Sequence, residues 1–235
     1  MTRLTSLGIT AALVTLVALP NHASAQTAYD NGSYIGGTNA VSISGLATAD
    51  DFTVTSTITF NAIQFYAVDL SPGLLPSFSG QLTWFLYSGS AGSPSPNAIP
   101  STNIIAQGTA SNFTITDTGD IAAGDPNREI AQVYFRVPKQ ILSPGTYWLR
   151  LKEGTADSVF DGTPIYWRQT GGAIKGNGFR SDGNEVNPTT WDSAGTNTTN
   201  DLSFTLGMAP EPGTLALGAL GLPLALLALQ RRRNA

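Results

Sequence analysis

Apolar and polar residues alternate one for one in several short stretches of the chain. In residues 132–137 every second position is apolar, namely Val133, Phe135 and Val137. A β-strand points successive side chains to opposite faces, so this period of two predicts a strand with one buried face. Comparable patterns predict further strands at residues 58–65, 82–87, 147–151 and 202–206.

The stretch 58–65 contains a change of phase. Ile58 and Phe60 occupy even-numbered positions, whereas Ile63 and Phe65 occupy odd-numbered ones. One extra residue in a strand shifts the parity of every position that follows it. The change of phase therefore indicates a β-bulge within this strand.

The segments between the predicted strands have the composition of loops. Residues 88–100 and 170–200 are rich in small, polar and turn-forming residues, and the body of the chain lacks the 3.6-residue period of a helix. Short alternating stretches separated by turn residues are typical of β-sandwiches. We expect residues 26–209 to form one all-β domain, an antiparallel β-sandwich of jelly-roll-like type.

The first 25 residues have the three parts of a secretory signal peptide. Arg3 supplies a positive charge, residues 7–19 are apolar, and the Ala-Ser-Ala at 23–25 offers small residues for cleavage before Gln26. A permanent membrane helix would need about 20 apolar residues and a flank that stops transfer. Residues 1–25 are therefore predicted to be a helical signal peptide that is removed during export.

Composition excludes several kinds of active site. The only histidine, His22, leaves with the signal peptide, and the chain has no cysteine. Ser-His-Asp and Cys-His catalysis and zinc sites built from His or Cys are therefore excluded in the mature chain. The Gly-rich loops that bind nucleotide phosphates are absent as well.

The charge balance of the body disfavours nucleic acid as a partner. Residues 26–209 contain eight Lys or Arg and fifteen Asp or Glu, a formal net charge of −7. The basic residues do not form a stripe along the sequence. A nucleic-acid-binding domain normally shows the opposite balance.

The last 26 residues have the pattern of a membrane anchor. Pro210, Glu211 and Pro212 are followed by an uncharged, Leu-rich span at 213–229, and Arg231, Arg232 and Arg233 then stand near the end of the chain. As a helix the span would be about 25 Å long, close to the hydrocarbon thickness of a bilayer. The arginines predict a cytoplasmic end for this C-terminal transmembrane helix at 210–235.

These three parts, in this order at the end of a chain, resemble the PEP-CTERM sorting signal of Gram-negative bacteria that make exopolysaccharide. The resemblance covers residues 210–233 and implies cleavage near Pro210–Pro212 by an exosortase. It implies a transient stay in the inner membrane and then a place at the cell surface or outside the cell. A permanent anchor with the same sequence pattern is the alternative.

The body resembles, more weakly, uncharacterised β-sandwich domains that occur in PEP-CTERM proteins. The similarity rests on Asp-Asp-Phe at 50–52, Gly-Thr-Tyr-Trp-Leu at 145–149, Tyr-Trp at 166–167 and Asp-Leu-Ser-Phe at 201–204. It supports the sandwich prediction and implies no activity.

Four aromatic residues are candidates for binding sugar rings. Trp148, Tyr166, Trp167 and Trp191 stand beside polar residues, and Trp148 alternates away from the apolar Tyr147 and Leu149. An aromatic ring with a polar neighbour suits a ligand that is apolar on one face and polar at its edge. The alternative is that these rings fill a second buried face of the sheet.

A calcium site is a further hypothesis. Asp50, Asp51 and Asp201 could supply the hard oxygen ligands that Ca²⁺ prefers. Asp residues also cap turns through their own side chains, which is the alternative interpretation.

The sequence thus predicts a non-catalytic, exported envelope or matrix protein that binds glycan or has a structural role in exopolysaccharide. The alternative function is a secreted polysaccharide hydrolase or lyase that uses paired carboxylates. Glu129, Glu153 and Glu185 are its candidate residues, and each of them could equally be a solvated surface acid.

Overall fold

A computed structural model describes residues 26–34, 40–45, 48–89, 103–122, 125–155, 162–171, 179–181, 191–193 and 201–209. In these residues the chain forms strands that pair antiparallel, so the all-β prediction is confirmed. No helix within the described ranges is long and apolar enough to cross a membrane. The predicted signal peptide at 1–25 and the predicted sorting segment at 210–235 lie outside these ranges.

The described strands are short, except for two long ones in the middle of the chain. They are β1 (Gln26–Asp30), β2 (Ala40–Ser42), β3 (Thr48–Val54), β4 (Ile58–Asp69), β5 (Leu82–Gly89), β6 (Ile104–Ala110), β7 (Phe113–Ile121), β8 (Glu129–Leu142), β9 (Gly145–Glu153), β10 (Ile165–Arg168), β11 (Phe179–Ser181), β12 (Trp191–Ser193) and β13 (Phe204–Met208).

The two long strands, β4 and β8, organise a seven-stranded sheet. One edge of β4 pairs with β8, which in turn pairs with β7. The other edge of β4 pairs with β13 along its first half and with β10 along its second half. The outer neighbours are β1 beside β13 and β2 beside β10.

The remaining strands form a six-stranded sheet in the order β12-β11-β3-β9-β5-β6. Its centre is β9, the strand predicted from residues 147–151, which pairs with β3 on one side and β5 on the other. Strands β11 and β12 lie within the segment 170–200 that the sequence suggested was a loop. Three-residue strands leave too short a pattern to recognise from sequence.

The change of phase in β4 corresponds to an irregularity in its pairing with β8. The register shifts between Phe60 and Ala62, where two residues along β4 correspond to four along β8, so the surplus residues lie on β8 and not on β4 as predicted. Because of this shift, Phe60, Ile63 and Phe65 all reach the same hydrophobic core despite their different parity.

One hydrophobic cluster draws on both sheets. Phe52 of β3 and Phe204 of β13 belong to different sheets, and their ring centroids are 5.5 Å apart in an edge-on arrangement. Trp167 packs on Phe65 at 6.0 Å and on Phe204 at 5.9 Å within the same cluster. Burying a side chain of this size contributes about 1.5–3 kcal/mol each to the free energy of folding.

Candidate functional site

The four aromatic candidates occupy different environments. Trp148 and Trp167 have no solvent-exposed surface, whereas Tyr166 is half-buried. Trp191 lies in β12, and its side chain is outside the described structure. Trp148 and Trp167 therefore present no ring to a ligand, and Tyr166 alone among the three described residues remains available.

Trp167 is a core residue with a satisfied polar atom. Its Nε1–H donates a hydrogen bond to the carbonyl oxygen of Ser203 at 2.8 Å. This bond links β10 to the segment that leads into β13. Trp167 alternates with Tyr166 along the strand, so the core receives the indole and the opposite face receives the phenol.

Trp148 lies on the opposite face of β9 from the core residues Tyr147 and Leu149, as the alternation predicted. This opposite face of the six-stranded sheet is also buried. Arg150 on the same face has no exposed surface, and its guanidinium lies 4.5 Å from the ring centroid of Phe85. It also donates a hydrogen bond to the hydroxyl of Tyr87 at 3.1 Å. The cation is thus held between aromatic rings as part of the folded structure.

The predicted calcium ligands do not converge as a pair. Asp50 stands opposite Leu149 on the core side of β3, while Asp51 stands opposite Trp148 on the other side. Neighbouring residues of a strand point to opposite faces, so these two side chains leave β3 in opposite directions. Asp201 is buried and acts electrostatically on Asp50.

Asp50 is tied to both ends of the domain. Its Oδ2 accepts hydrogen bonds from Asn31 Nδ2 at 2.8 Å and from the backbone N–H of Leu202 at 2.7 Å. Its Oδ1 is buried without a hydrogen-bond partner. Burial raises the pKa of Asp50 well above its ordinary value, and the nearby charges of Asp201 and Asp51 raise it further.

Within the described residues, no three His, Cys, Asp or Glu side chains lie together in a way that could hold a metal ion. Calcium binding by Asp50, Asp51 and Asp201 stays a prediction.

Two of the three glutamates proposed for carboxylate catalysis, Glu153 and Glu129, lie within the described residues. The side chain of Glu153 accepts a hydrogen bond from the Ser79 N–H at 2.7 Å and another from the Ser44 hydroxyl. Glu129 lies half-buried at the start of β8, and Glu185 is outside the described residues. Glu153 therefore has a structural task, because it joins the loop before β5 to the segment after β2.

The surface of the seven-stranded sheet that points away from the core carries a group of tyrosines. We call this surface the tyrosine face and define it by Tyr34, Tyr66, Tyr134 and Tyr166, all half-buried. Tyr66 and Tyr134 alternate with core residues on β4 and β8, and Tyr166 does so on β10. Tyr34 follows β1 and joins the face through a bridge to Thr170.

A cleft of about 240 Å³, the central cleft, opens at the middle of this face. Its lining residues are Thr27, Asp30, Ala62, Gln64, Tyr66, Tyr134, Thr205 and Gly207. Ala62 and Gly207 stand directly opposite each other in the β4–β13 pair, so two small residues form a floor. The larger side chains around this floor are two phenol rings, a carboxylate and a primary amide.

Tyr66 is held in place from two sides. Its ring lies 4.5 Å from that of Tyr34, centroid to centroid, and its hydroxyl accepts a hydrogen bond from Gln64 Nε2 at 3.4 Å. Tyr34 in turn donates a hydrogen bond to Asp120. Burial raises the pKa of Tyr66, with a smaller contribution from Asp30, so its hydroxyl is neutral at physiological pH.

Two further clefts adjoin the tyrosine face. The β7 cleft, of about 380 Å³, is lined by residues 109–114 together with Tyr134 and Arg136. The β10 cleft, of about 210 Å³, includes Tyr166, Arg128 and Arg168 among its lining residues. Tyr134 thus lines two clefts, and an arginine lines each of the outer ones.

Sequence analysis missed Tyr34, Tyr66 and Tyr134 as candidates, although the alternation that places Tyr134 opposite the core residues is visible. The prediction selected aromatic residues beside polar neighbours in the sequence, and these were Trp148, Tyr166, Trp167 and Trp191 instead. The sorting residues Pro210, Glu211, Pro212, Arg231, Arg232 and Arg233 lie outside the described structure. No protein-family model matches the chain, and comparison with curated proteins and with solved structures finds none that is detectably similar.

Proposed function

We propose that this chain is an exported, non-catalytic glycan-binding protein of the cell envelope or the extracellular matrix. Its C-terminal PEP-CTERM-like segment directs processing by an exosortase after a transient stay in the inner membrane. The body binds polysaccharide on the tyrosine face. The alternative of a carboxylate-dependent hydrolase has no support from Glu153, whose carboxylate is occupied by structural hydrogen bonds.

The observation that carries the binding proposal is the composition of the central cleft. Tyr66 and Tyr134 border a floor of Ala62 and Gly207, and Gln64 and Asp30 supply polar groups beside them. A pyranose ring has an apolar face that packs on a phenol ring and hydroxyl groups at its edge that need hydrogen-bond partners. The two phenol rings supply the apolar contact, and Asp30, Gln64, Thr27 and Thr205 supply the polar groups.

The body that carries this face is proposed to be a β-sandwich of jelly-roll-like type. The proposal rests on the shared hydrophobic cluster and on the contact of Phe52 with Phe204 across the two sheets. In a sandwich the far surface of a sheet faces solvent wherever no other segment packs over it. The tyrosine face is such a surface.

Binding is tested with the mature protein, recovered from the producing cells, and a panel of purified soluble polysaccharides in affinity gel electrophoresis. Y66A and Y134A should each weaken retardation about fivefold or more, since each removes a stacking surface. Y66F keeps the ring and should retain most of the affinity. I141A changes an exposed apolar residue of β8 that lines none of these clefts, and it should have no effect.

Glycan binding by this face would be refuted if no polysaccharide of the panel retarded the protein. It would also be refuted if Y134A and I141A lowered the affinity equally.

Sorting is tested separately by the intact mass of the mature protein from membrane and from culture medium. A mass that ends near Pro210–Pro212 supports exosortase-type processing. A mass that retains Arg231–Arg233 contradicts it.

A further inference from the structure

The distribution of charge on the tyrosine face is uneven. Three arginines, Arg128, Arg136 and Arg168, line the two outer clefts, and none of the described residues that line these clefts is acidic. The central cleft has the reverse character, because Asp30 is the one charged residue among its described lining. This concentration of cations stands on a body whose formal net charge is −7.

The arginines differ in how they can act. Arg136 on β8 is exposed, whereas Arg168 at the end of β10 is buried beneath the surface. Arg128 forms an ion pair with Asp125, Nε to Oδ2 at 3.1 Å, and keeps 38% of its side chain exposed. Burial lowers the pKa of Arg168, yet an arginine stays protonated at neutral pH and so adds positive potential to the β10 cleft.

The strand register sets the separation between the two positive ends. Arg136 lies on β8, and Arg128 immediately precedes Glu129, the first residue of the same strand. Eight residues of extended chain correspond to roughly 26 Å between the two backbone positions. The row of Gln64, where the central cleft lies, falls between them.

We propose that the polysaccharide bound by the tyrosine face is acidic. Its carboxylates pair with Arg136 in the β7 cleft and with the exposed part of Arg128 in the β10 cleft. Between these two contacts a sugar ring of the chain packs over the central cleft and turns a hydroxyl edge, rather than its carboxylate, toward Asp30. This inference rests on the proposed glycan binding and adds the chemical class of the ligand.

An arginine is suited to this contact because its guanidinium donates two parallel hydrogen bonds to one carboxylate. The remaining charges of the acidic body oppose a polyanion at long range. At an ionic strength near 0.15 M the Debye length is about 8 Å, so that distant repulsion is screened while a direct contact is not. Measurements therefore belong at this ionic strength.

The test compares a soluble polyuronate with the same polymer after chemical reduction of its carboxyl groups to alcohols. Reduction keeps the sugar rings and most hydroxyls but removes the charge. The mature wild-type protein should bind the polyuronate about tenfold or more tightly than the reduced polymer. R136Q should lose about tenfold in affinity for the polyuronate and nothing for the reduced polymer.

The matched control is K139Q, which removes the same charge from an exposed position three residues further along β8, outside the clefts. It should change the affinity less than twofold. Equal binding of both polymers, with Y134A still impaired, would overturn the acidic ligand and leave glycan binding in place. Equal effects of R136Q and K139Q would also overturn it, because nonspecific charge would then account for the binding. Failure to bind either polymer, or any polysaccharide of the panel, would overturn both proposals.

Discussion

The side-chain amide of Asn31 donates a hydrogen bond from Nδ2 to Oδ2 of Asp50 at 2.8 Å, and both residues are buried. Asn31 also donates to the carbonyl oxygen of Leu202, whose N–H donates to the same carboxylate of Asp50. Three segments distant in sequence therefore meet at one carboxyl group. They are the end of β1, the middle of β3 and the residue two positions before β13.

Stability should depend on pH through Asp50. The pKa of its carboxyl group is raised in the folded protein, so the folded state binds this proton more strongly than the unfolded state. The free energy of unfolding is therefore highest below about pH 4 as far as this group is concerned. It should fall by up to about 1.4 kcal/mol per pH unit until the folded-state pKa is reached. Urea unfolding across this range measures the slope.

D50N should remove this slope and stabilise the protein at neutral pH. The amide oxygen can take the place of Oδ2 and keep both hydrogen bonds, while the amide nitrogen takes the place of the unpartnered Oδ1. D69N is the matched control, because Asp69 is also fully buried but accepts from Ser71 N–H and Ser77 N–H through different oxygens. D69N should lower the free energy of unfolding by about 1–3 kcal/mol. Destabilisation by D50N equal to that of D69N would contradict this account.

E153Q should destabilise the fold. Both oxygens of Glu153 accept hydrogen bonds, and an amide nitrogen would face either Ser79 N–H or the Ser44 hydroxyl. We expect a loss of about 1–3 kcal/mol in urea unfolding. E129Q, at a half-buried position, should stay within about 0.5 kcal/mol of the wild type. Unchanged stability of E153Q together with lost cleavage of a polysaccharide would instead favour the hydrolase.

W167F and Y166F separate the two faces of β10. W167F leaves the Ser203 carbonyl without its hydrogen-bond donor and opens a cavity beside Phe65 and Phe204. It should therefore lower the free energy of unfolding by about 2–4 kcal/mol. Y166F removes only the hydroxyl of a half-buried ring and should cost less than about 0.5 kcal/mol. Thermal and urea unfolding of both variants provide the comparison. Similar losses would mean that Tyr166 is as deeply embedded as its neighbour.

G108A should also destabilise the protein, although alanine favours a strand over glycine. A Cβ at Gly108 would lie 3.1 Å from Nε1 of Trp84, a rigid and buried ring. We expect G108A to lower the free energy of unfolding by about 1–2 kcal/mol. At Gly145 the nearest atoms belong to Tyr147 at 3.6 Å, an ordinary contact, so G145A should be neutral or slightly stabilising. A stabilised G108A would show that the Trp84 indole can shift.

The position of the irregularity in β4 and the core face of the longer strands could be predicted from sequence, because the parity of a strand residue is a local property. The phase change between Phe60 and Ile63 shows in four consecutive letters, and the register shift occurs there. The alternation of Tyr134 with Val133 and Phe135 likewise assigns each residue to a face. Pairing partners and strand order are nonlocal, and the sequence pattern did not contain them.

Each sheet has one face on the hydrophobic core and another that points away from it. Only the tertiary structure decided where the face that points away from the core is exposed. Trp148 and Tyr134 both alternate with core residues, yet Trp148 has no exposed surface and Tyr134 borders two clefts. Asp50 and Asp51 are neighbours in sequence but lie on opposite faces of β3. Alternation tells which side of the sheet a residue occupies, but burial depends on what packs over that side. That packing joins segments far apart in the chain, and so a local pattern cannot encode it.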